Sequence, residues 1–324
     1  MLRRRGHFAA ILLGVALVGV SPSAATAQRP RAPYRIGVLN DARTANHPAV
    51  DGLKAGLRQV GLEEGRDVVF DVRLTDGTSP GMSAAAAALV RSGVDLIFTS
   101  TDAATLAARA ATPSTPIVFT LVGDPIALGL VQSLAHPGDN VTGVSSLTSQ
   151  LTAKRLEALK ALAPGLRRVW TIGQQGDPGS SATVAAVASR FGLEVVSRSV
   201  STPDELERAL GEVVPGDALM VPDVATLDIS AVLLEASLAR RIPAVFSSEL
   251  WVNHGGLVSY GADYRSQGAQ AARLVAKILR GARPADLPVE AAEPIVFAVN
   301  LKTAAALGLA VPRQVLFRAD VIRR

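Results

Sequence analysis

Hydroxyl, amide and carboxylate side chains recur in this chain at one kind of place, directly after short apolar runs. Asn40 and Asp41 follow the first such run, Thr99, Ser100, Thr101 and Asp102 follow another, and Thr120 and Asp124 close a third. Further along, Gln174, Ser180 and Ser181, then Asp223 after Pro222, then Ser247, Ser248 and Glu249 stand in the same relation to the runs before them. Groups of these types suit a small zwitterion. Hydroxyls and helix N-terminal N–H groups hold a carboxylate, and an unpaired aspartate holds an ammonium. Asp223 has no Lys or Arg in the residues directly after it, which marks it as the cation partner, with Ser100, Thr101 and Thr120 on the anion. Ser, Thr and Asp at helix starts serve equally well as N-caps, so each residue carries both readings.

Other chemistries lack their signatures. There is no Gly-x-Gly-x-x-Gly fingerprint, no Walker A lysine, no His-Glu-x-x-His and no Gly-x-Ser-x-Gly. His7, His47, His136 and His254 are scattered singly, without metal-ligand spacing. The Gly-rich stretch from Gly173 to Gly179 has the wrong spacing for a phosphate loop, and Asp177 would repel a phosphate. No nucleophile stands with a base, so neither catalysis, nor a metal, nor a cofactor is expected.

The elements that must carry these side chains alternate. Strand patterns at 34–40, 66–74, 94–99 and 117–120 are separated by helical patterns, the first with Val50, Leu53, Leu57 and Val60 on one face. After Gly123, Asp124 and Pro125 a short apolar helix is expected, ending at Pro137 and Gly138, with a strand from Asn140. The alternation then restarts: helix 149–162, strand 168–173, helix 182–191, strand 193–200, helix 203–210, strand 217–221, helix 227–240 and strand 243–246. A strand at 256–261, a helix at 264–280, a strand at 294–299 and a helix at 301–307 complete it. Short apolar strands with helices between them predict parallel βαβ units. The helix, Gly-Leu and strand of 47–73 have a counterpart in 181–200, so two similar α/β lobes are expected, with a cleft between their carboxyl edges.

Arg3, Arg4 and Arg5, the apolar stretch 8–20 and the small residues Ala25 and Ala27 read as a secretory signal peptide over 1–27, cleaved before Gln28. The alternative is a single membrane anchor, for which the apolar core is short. The chain has no cysteine, hence no disulfide framework and no lipid-anchoring cysteine, and a soluble periplasmic protein is expected. Lys and Arg number 33 against 28 Asp and Glu, and without the three signal arginines the balance is 30 to 28. No basic cluster with interleaved aromatics is present to track nucleic acid.

Several blocks resemble the bacterial ABC-transporter substrate-binding proteins of the tryptophan-binding TrpX type. They are Asp124-Pro-Ile-Ala-Leu-Gly-Leu-Val131, then Pro137-Gly138 with Asn140-Val-Thr-Gly143, Tyr260-Gly-Ala-Asp-Tyr264, Asn300-Leu-Lys302 and Arg318-Ala-Asp320, in order between Ile36 and Ile322. The resemblance implies two doubly wound parallel-sheet lobes joined by a three-crossover hinge, the type I periplasmic binding protein fold. It places the crossings near Val144, near His254 and after Arg283. The N-terminal lobe is then 34–144 with 255–283, and the C-terminal lobe 145–254 with 284–324. It adds Tyr260 to the candidate ligand residues. The implied function is a monomeric receptor that closes on a small organic solute, such as an amino acid or a related compound, and delivers it to an ABC permease with its ATPase. A partner of a membrane sensor is the alternative, with a periplasmic α/β enzyme behind it. Two blocks depart from the family pattern, the loop 174–180 and the pair Pro222-Asp223. Both lie on the second lobe's ligand edge, so the resemblance leaves the ligand open.

Overall fold

The computed structural model describes residues 32–40, 47–75, 79–174, 180–221 and 227–324. The signal segment 1–27 and Asp223 lie outside them. Among the described residues the strands are β1 (Tyr34–Asn40), β2 (Val68–Leu74), β3 (Leu96–Thr99), β4 (Ile117–Val122), β5 (Val141–Ser145), β6 (Arg168–Gln174), β7 (Glu194–Val200), β8 (Asp217–Met220), β9 (Ala244–Phe246), β10 (Val258–Ala262), β11 (Glu290–Ala291), β12 (Ile295–Asn300) and β13 (Val321–Arg323). The helices are α1 (Pro48–Gln59), α2 (Ser79–Arg91), α3 (Asp102–Ala111), α4 (Thr148–Leu162), α5 (Ser180–Ala188), α6 (Pro203–Gly211), α7 (Leu227–Arg240), α8 (Glu249–Asn253), α9 (Tyr264–Leu279), α10 (Leu301–Ala306) and α11 (Arg313–Arg318).

Two sheets result. One has the order β11-β5-β4-β3-β1-β2 and the other β13-β12-β10-β9-β8-β6-β7. The parallel β1–β2 and β6–β7 pairs, each at a sheet edge beside β3 and β8 respectively, reproduce the internal similarity expected between the lobes. Each sheet is buried on both faces. Ile36, Val38, Phe98 and Val118 face α1 and α9, while Leu39, Ile97, Ile117 and Phe119 face α2 and α3. In the second sheet Val169, Met220 and Val245 pack toward α4 and α5, and Trp170, Leu219 and Phe246 pack on the opposite face. Strands buried on both faces read as apolar runs without alternation, which is why β3, β4 and β8 stand out in the sequence.

Several expectations are corrected. The apolar segment after Pro125 forms turns instead of a helix. Leu130 and Val131 both donate their N–H to Pro125 O, and Gly129 adopts φ 67°, which ends the single turn. The second sheet is mixed: β12 runs antiparallel to β10, because β12 is reached from the other lobe instead of through a βαβ crossover. Strand β10 pairs with β9 and β12, so 258–262 belongs to the second sheet. The crossing expected near His254 comes after Ala262. Strand β11 pairs with β5, which carries the third crossing beyond Ala291 instead of directly after Arg283. Helices α8 and α11 and strands β11 and β13 are additions, all too short for a clear period.

Helix α9 leaves the second sheet and packs along α1 on the first. Small residues allow this approach: a Cβ on Gly52 would strike the carbonyl of Arg265, and one on Gly268 the carbonyl of Ala49. The two helices therefore touch backbone to backbone, and one of the crossings is locked into the first core.

Candidate functional site

The register of the first sheet gathers three of the candidate residues. Leu39 pairs with Thr99, and Thr99 with Phe119. One residue further on, Asn40, Ser100 and Thr120 therefore form a row across β1, β3 and β4, on the face that Val38, Phe98 and Val118 share with α1 and α9. All three are fully buried. Ser100 Oγ donates to Asn40 Oδ1 at 3.3 Å, and Thr120 Oγ1 donates to Thr99 O at 3.3 Å. These are long bonds between groups with further valences, a hydroxyl having one donor and two acceptor sites.

The remaining first-lobe candidates have local duties. Thr101 caps α3, its Oγ1 accepting from Ala104 N at 3.2 Å, and Thr105 Oγ1 returns to Thr101 O at 2.7 Å. Asp124 Oδ1 accepts from Ala127 N at 3.0 Å and holds the turn after β4. Its neighbour in sequence, Gly123, donates its N–H to Asp102 Oδ1, tying that turn to the start of α3.

From the second lobe, Ser247 follows β9 and meets the first lobe directly. Its Oγ lies 3.0 Å from the hydroxyl of Tyr264, which also accepts from Trp251 Nε1 at 3.3 Å. The Tyr264 ring is part of the first lobe's core, so its hydroxyl reaches across. Two candidates are placed elsewhere. The Tyr260 side chain turns into the second lobe's core against Phe297, with ring centroids 5.4 Å apart, because β10 alternates and Val258 and Tyr260 share the inner face. Glu249 is held by Arg323 at 3.2 Å and accepts from Asn253 Nδ2, so its charge already has a partner within the second lobe. Gln174 ends β6 and Ser180 begins α5, but their side chains, like Asp223, lie outside the described residues.

The structure adds residues that were not singled out. Arg155 on α4 is only 1% exposed, and its Nε donates to Tyr260 O at 2.8 Å. It lines a narrow gap with Leu121, Ser146, Ser247, Tyr264 and Gln267, drawn from both lobes. Ser146 Oγ donates to Gln267 Oε1 at 3.2 Å across the first crossing. Leu121 reaches the gap through a register shift between β4 and β5, where its φ of 57° is a left-handed conformation that a leucine rarely adopts. His47 caps α1. Ala49 N donates to its Nδ1 at 3.2 Å, its ring stacks on Tyr264 at 6.4 Å, and burial pulls its pKa down to about 4. Arg155 sits among Lys154, Glu157 and Lys160, which in the sequence reads as a solvated helix face. Only the pairing of β10 shows that it is inside.

Two α/β sheets with facing carboxyl edges, a buried polar row on one and hydroxyls from the other, define a two-lobed solute receptor of the type I periplasmic binding class. Residues 39–322 match the model of the ABC transporter substrate binding protein family, and the chain belongs to that family. It is 31% identical over 273 residues to a tyrosine-binding protein of Clostridioides difficile strain R20291, covering 81% of this chain and 78% of that one. Among solved structures it resembles an ABC domain from Streptococcus pneumoniae in complex with L-Trp. That match has 27% identity and a TM-score of 0.78, over 90% of this chain and all of the other. The ligand-free, open structure of CD0873 from Clostridium difficile, a substrate binding protein with adhesive properties, matches at 27% identity with a TM-score of 0.62, over 90% of this chain and 99% of that one.

Proposed function

We propose that this receptor takes a free amino acid, with the aromatic ones first, and passes it to an ABC permease from the periplasmic side. The observation that carries this is the buried row of Asn40, Ser100 and Thr120 at the carboxyl edge of the first sheet, with Ser247 of the second lobe bonded to Tyr264 where the lobes meet. Neutral donors at such an edge suit the carboxylate of an amino acid and leave its ammonium to a charged partner. The L-Trp complex and the tyrosine-binding relative support the aromatic choice. Asp223 is the proposed ammonium partner, on the sequence argument alone. The chain follows the ligand-bound relative more closely than the open one, 0.78 against 0.62 at the same identity, which supports closure of the lobes about a hinge as the binding mechanism. Nothing is transformed in this reading. The ligand binds the closed state better and so shifts the population toward it.

Export follows the signal reading of 1–27, and among the described residues no helix is long and apolar enough to cross a membrane. The test is a thermal-shift panel of the twenty amino acids, with calorimetry on any that stabilise the protein. L-tyrosine or L-tryptophan should raise Tm. A panel in which no amino acid does so overturns the reading.

A further inference from the structure

We propose that Gln267 and Gln270 of α9 are positioning residues for lobe closure. They fasten the first and third crossings to the first lobe, and so confine the bending there to Leu147 and to the step from Glu293 to Ile295. The proposal rests on the closure reading above and adds to it where the hinge turns. The argument begins with Gln270, whose amide is used at both ends. Its Nε2 donates to Ala291 O at 2.8 Å and to Glu290 Oε2 at 2.9 Å, and its Oε1 accepts from Glu293 N at 3.1 Å. A primary amide can donate and accept at once, which a carboxylate or an ammonium cannot. Strand β11 ends at Ala291, so these bonds carry the hold of the first lobe two residues past the strand's end. Ile295 already pairs with Ala262 in the second sheet, which leaves Pro294 alone between the two attachments.

Gln267 does the same for the first crossing, and residues three apart on a helix share a face. Its side chain is 1% exposed, and its Oε1 accepts from Ser146 Oγ at 3.2 Å. Ser146 N donates to Val122 O at 2.9 Å, so Ser146 stays with β4. Leu147, at φ 56°, is then the one residue between that anchor and α4. The two crossings are also joined to each other, Ala292 N donating to Ser145 O at 2.9 Å. Helix α9 can act as the fixed member because Gly268, between the two glutamines, lies against the backbone of α1. The second crossing enters this same helix after Ala262, so one helix meets all three. A hinge held in this way swings over a narrow range. Released, it samples wider arrangements, and a smaller fraction of molecules stands in the binding-competent state.

The chain has no cysteine, so two introduced ones can carry spin labels without interference. Ala103→Cys and Asp204→Cys place them on exposed residues in the first turns of α3 and α6, one on each lobe. Double electron–electron resonance then reads the interlobe distance. In this background, ligand-free Gln270→Ala should show a broader distribution displaced to longer distances than wild type. By calorimetry it should bind L-tyrosine or L-tryptophan about threefold to tenfold more weakly. Ser146→Ala frees the first crossing from Gln267 and should widen the distribution in the same direction; it decides the matter if Gln270→Ala does not fold. Arg273→Ala removes only a bond to Glu290 on β11, which β5 already holds, and should keep the wild-type distances. A Gln270→Ala variant with a lowered Tm but the wild-type distance distribution would make the amide a structural bond only and overturns the proposal. Equal widening in Arg273→Ala and Gln270→Ala overturns it as well. If wild type binds neither amino acid, the amino-acid reading fails, while the ligand-free distances still decide the hinge assignment.

Discussion

At the scale of single residues, the buried ring of His47 leaves a mark on stability. Its folded-state pKa of about 4 lies below the ordinary 6.5, so the unfolded chain binds the proton more readily. The stabilisation from keeping this ring neutral is present in full above pH 6.5 and is lost as pH falls through 4. The ceiling is about 3 kcal/mol, from the size of the shift. Denaturant unfolding at pH 7 and pH 4.5 should show wild type losing roughly 2 kcal/mol more than His47→Asn. Equal losses would mean that the ring is solvated in the folded protein. Asp223 gives a second test: Asp223→Asn should weaken amino-acid binding about tenfold and leave folding unchanged, and calorimetry with equal affinities would move the ammonium partner elsewhere. The polar residues of the first-lobe edge were legible because a hydroxyl or amide after an apolar run is a local signal. Their division into row, cap and turn was not, since it depends on which strands become neighbours. Thr101 and Thr120 look alike in sequence, yet one caps α3 and the other joins the row. The surroundings of Tyr260 and Glu249 depend on the same thing. The face a β10 side chain takes and the partner that Arg323 supplies to Glu249 are set by the second sheet's order.

At the scale of elements, the contact of α1 with α9 has no slack. A methyl group at Gly52 or Gly268 meets backbone, which cannot rotate aside, so Gly268→Ala should cost about 3 kcal/mol by overpacking. Gly211, the last residue of α6, has open space around its would-be Cβ, and Gly211→Ala should instead add up to about 1 kcal/mol. Thermal unfolding of the two variants checks the contrast, and a Gly268→Ala variant as stable as wild type would mean that the helices can separate at little cost. The existence of these helices and of nearly all the long strands follows from period and punctuation: Pro203 with Thr202 starts α6, and Asp263 caps α9. What escaped the sequence were two- to six-residue elements and the lobe to which each piece belongs. Residues 258–262 read as a strand in either lobe. Only pairing with β9 assigns them, and no local pattern encodes a partner a dozen residues away.

At the scale of the whole molecule, binding and closure are one equilibrium. A cognate amino acid at a hundredfold excess over Kd should stabilise the protein by about 2.7 kcal/mol, and small-angle scattering should report a smaller radius of gyration with ligand than without. Tyr264 stands at the junction that such a motion must respect. Its ring belongs to the first lobe's core, while its hydroxyl bonds to Ser247 and Trp251 of the second. If those bonds hold the lobes in the closed arrangement, Tyr264→Phe removes them while preserving the ring's packing, and each is worth about 1 kcal/mol. Apparent affinity scales with the population of the competent state, so the variant should bind its amino acid roughly fivefold more weakly. Its ligand-free scattering curve should move toward the wider form, and saturating ligand should restore the compact one. A variant with wild-type affinity and an unchanged scattering profile would show that the hydroxyl is a fixed point of the hinge, bonded alike in both states, and the closing contacts would then have to be sought on the row of Asn40, Ser100 and Thr120.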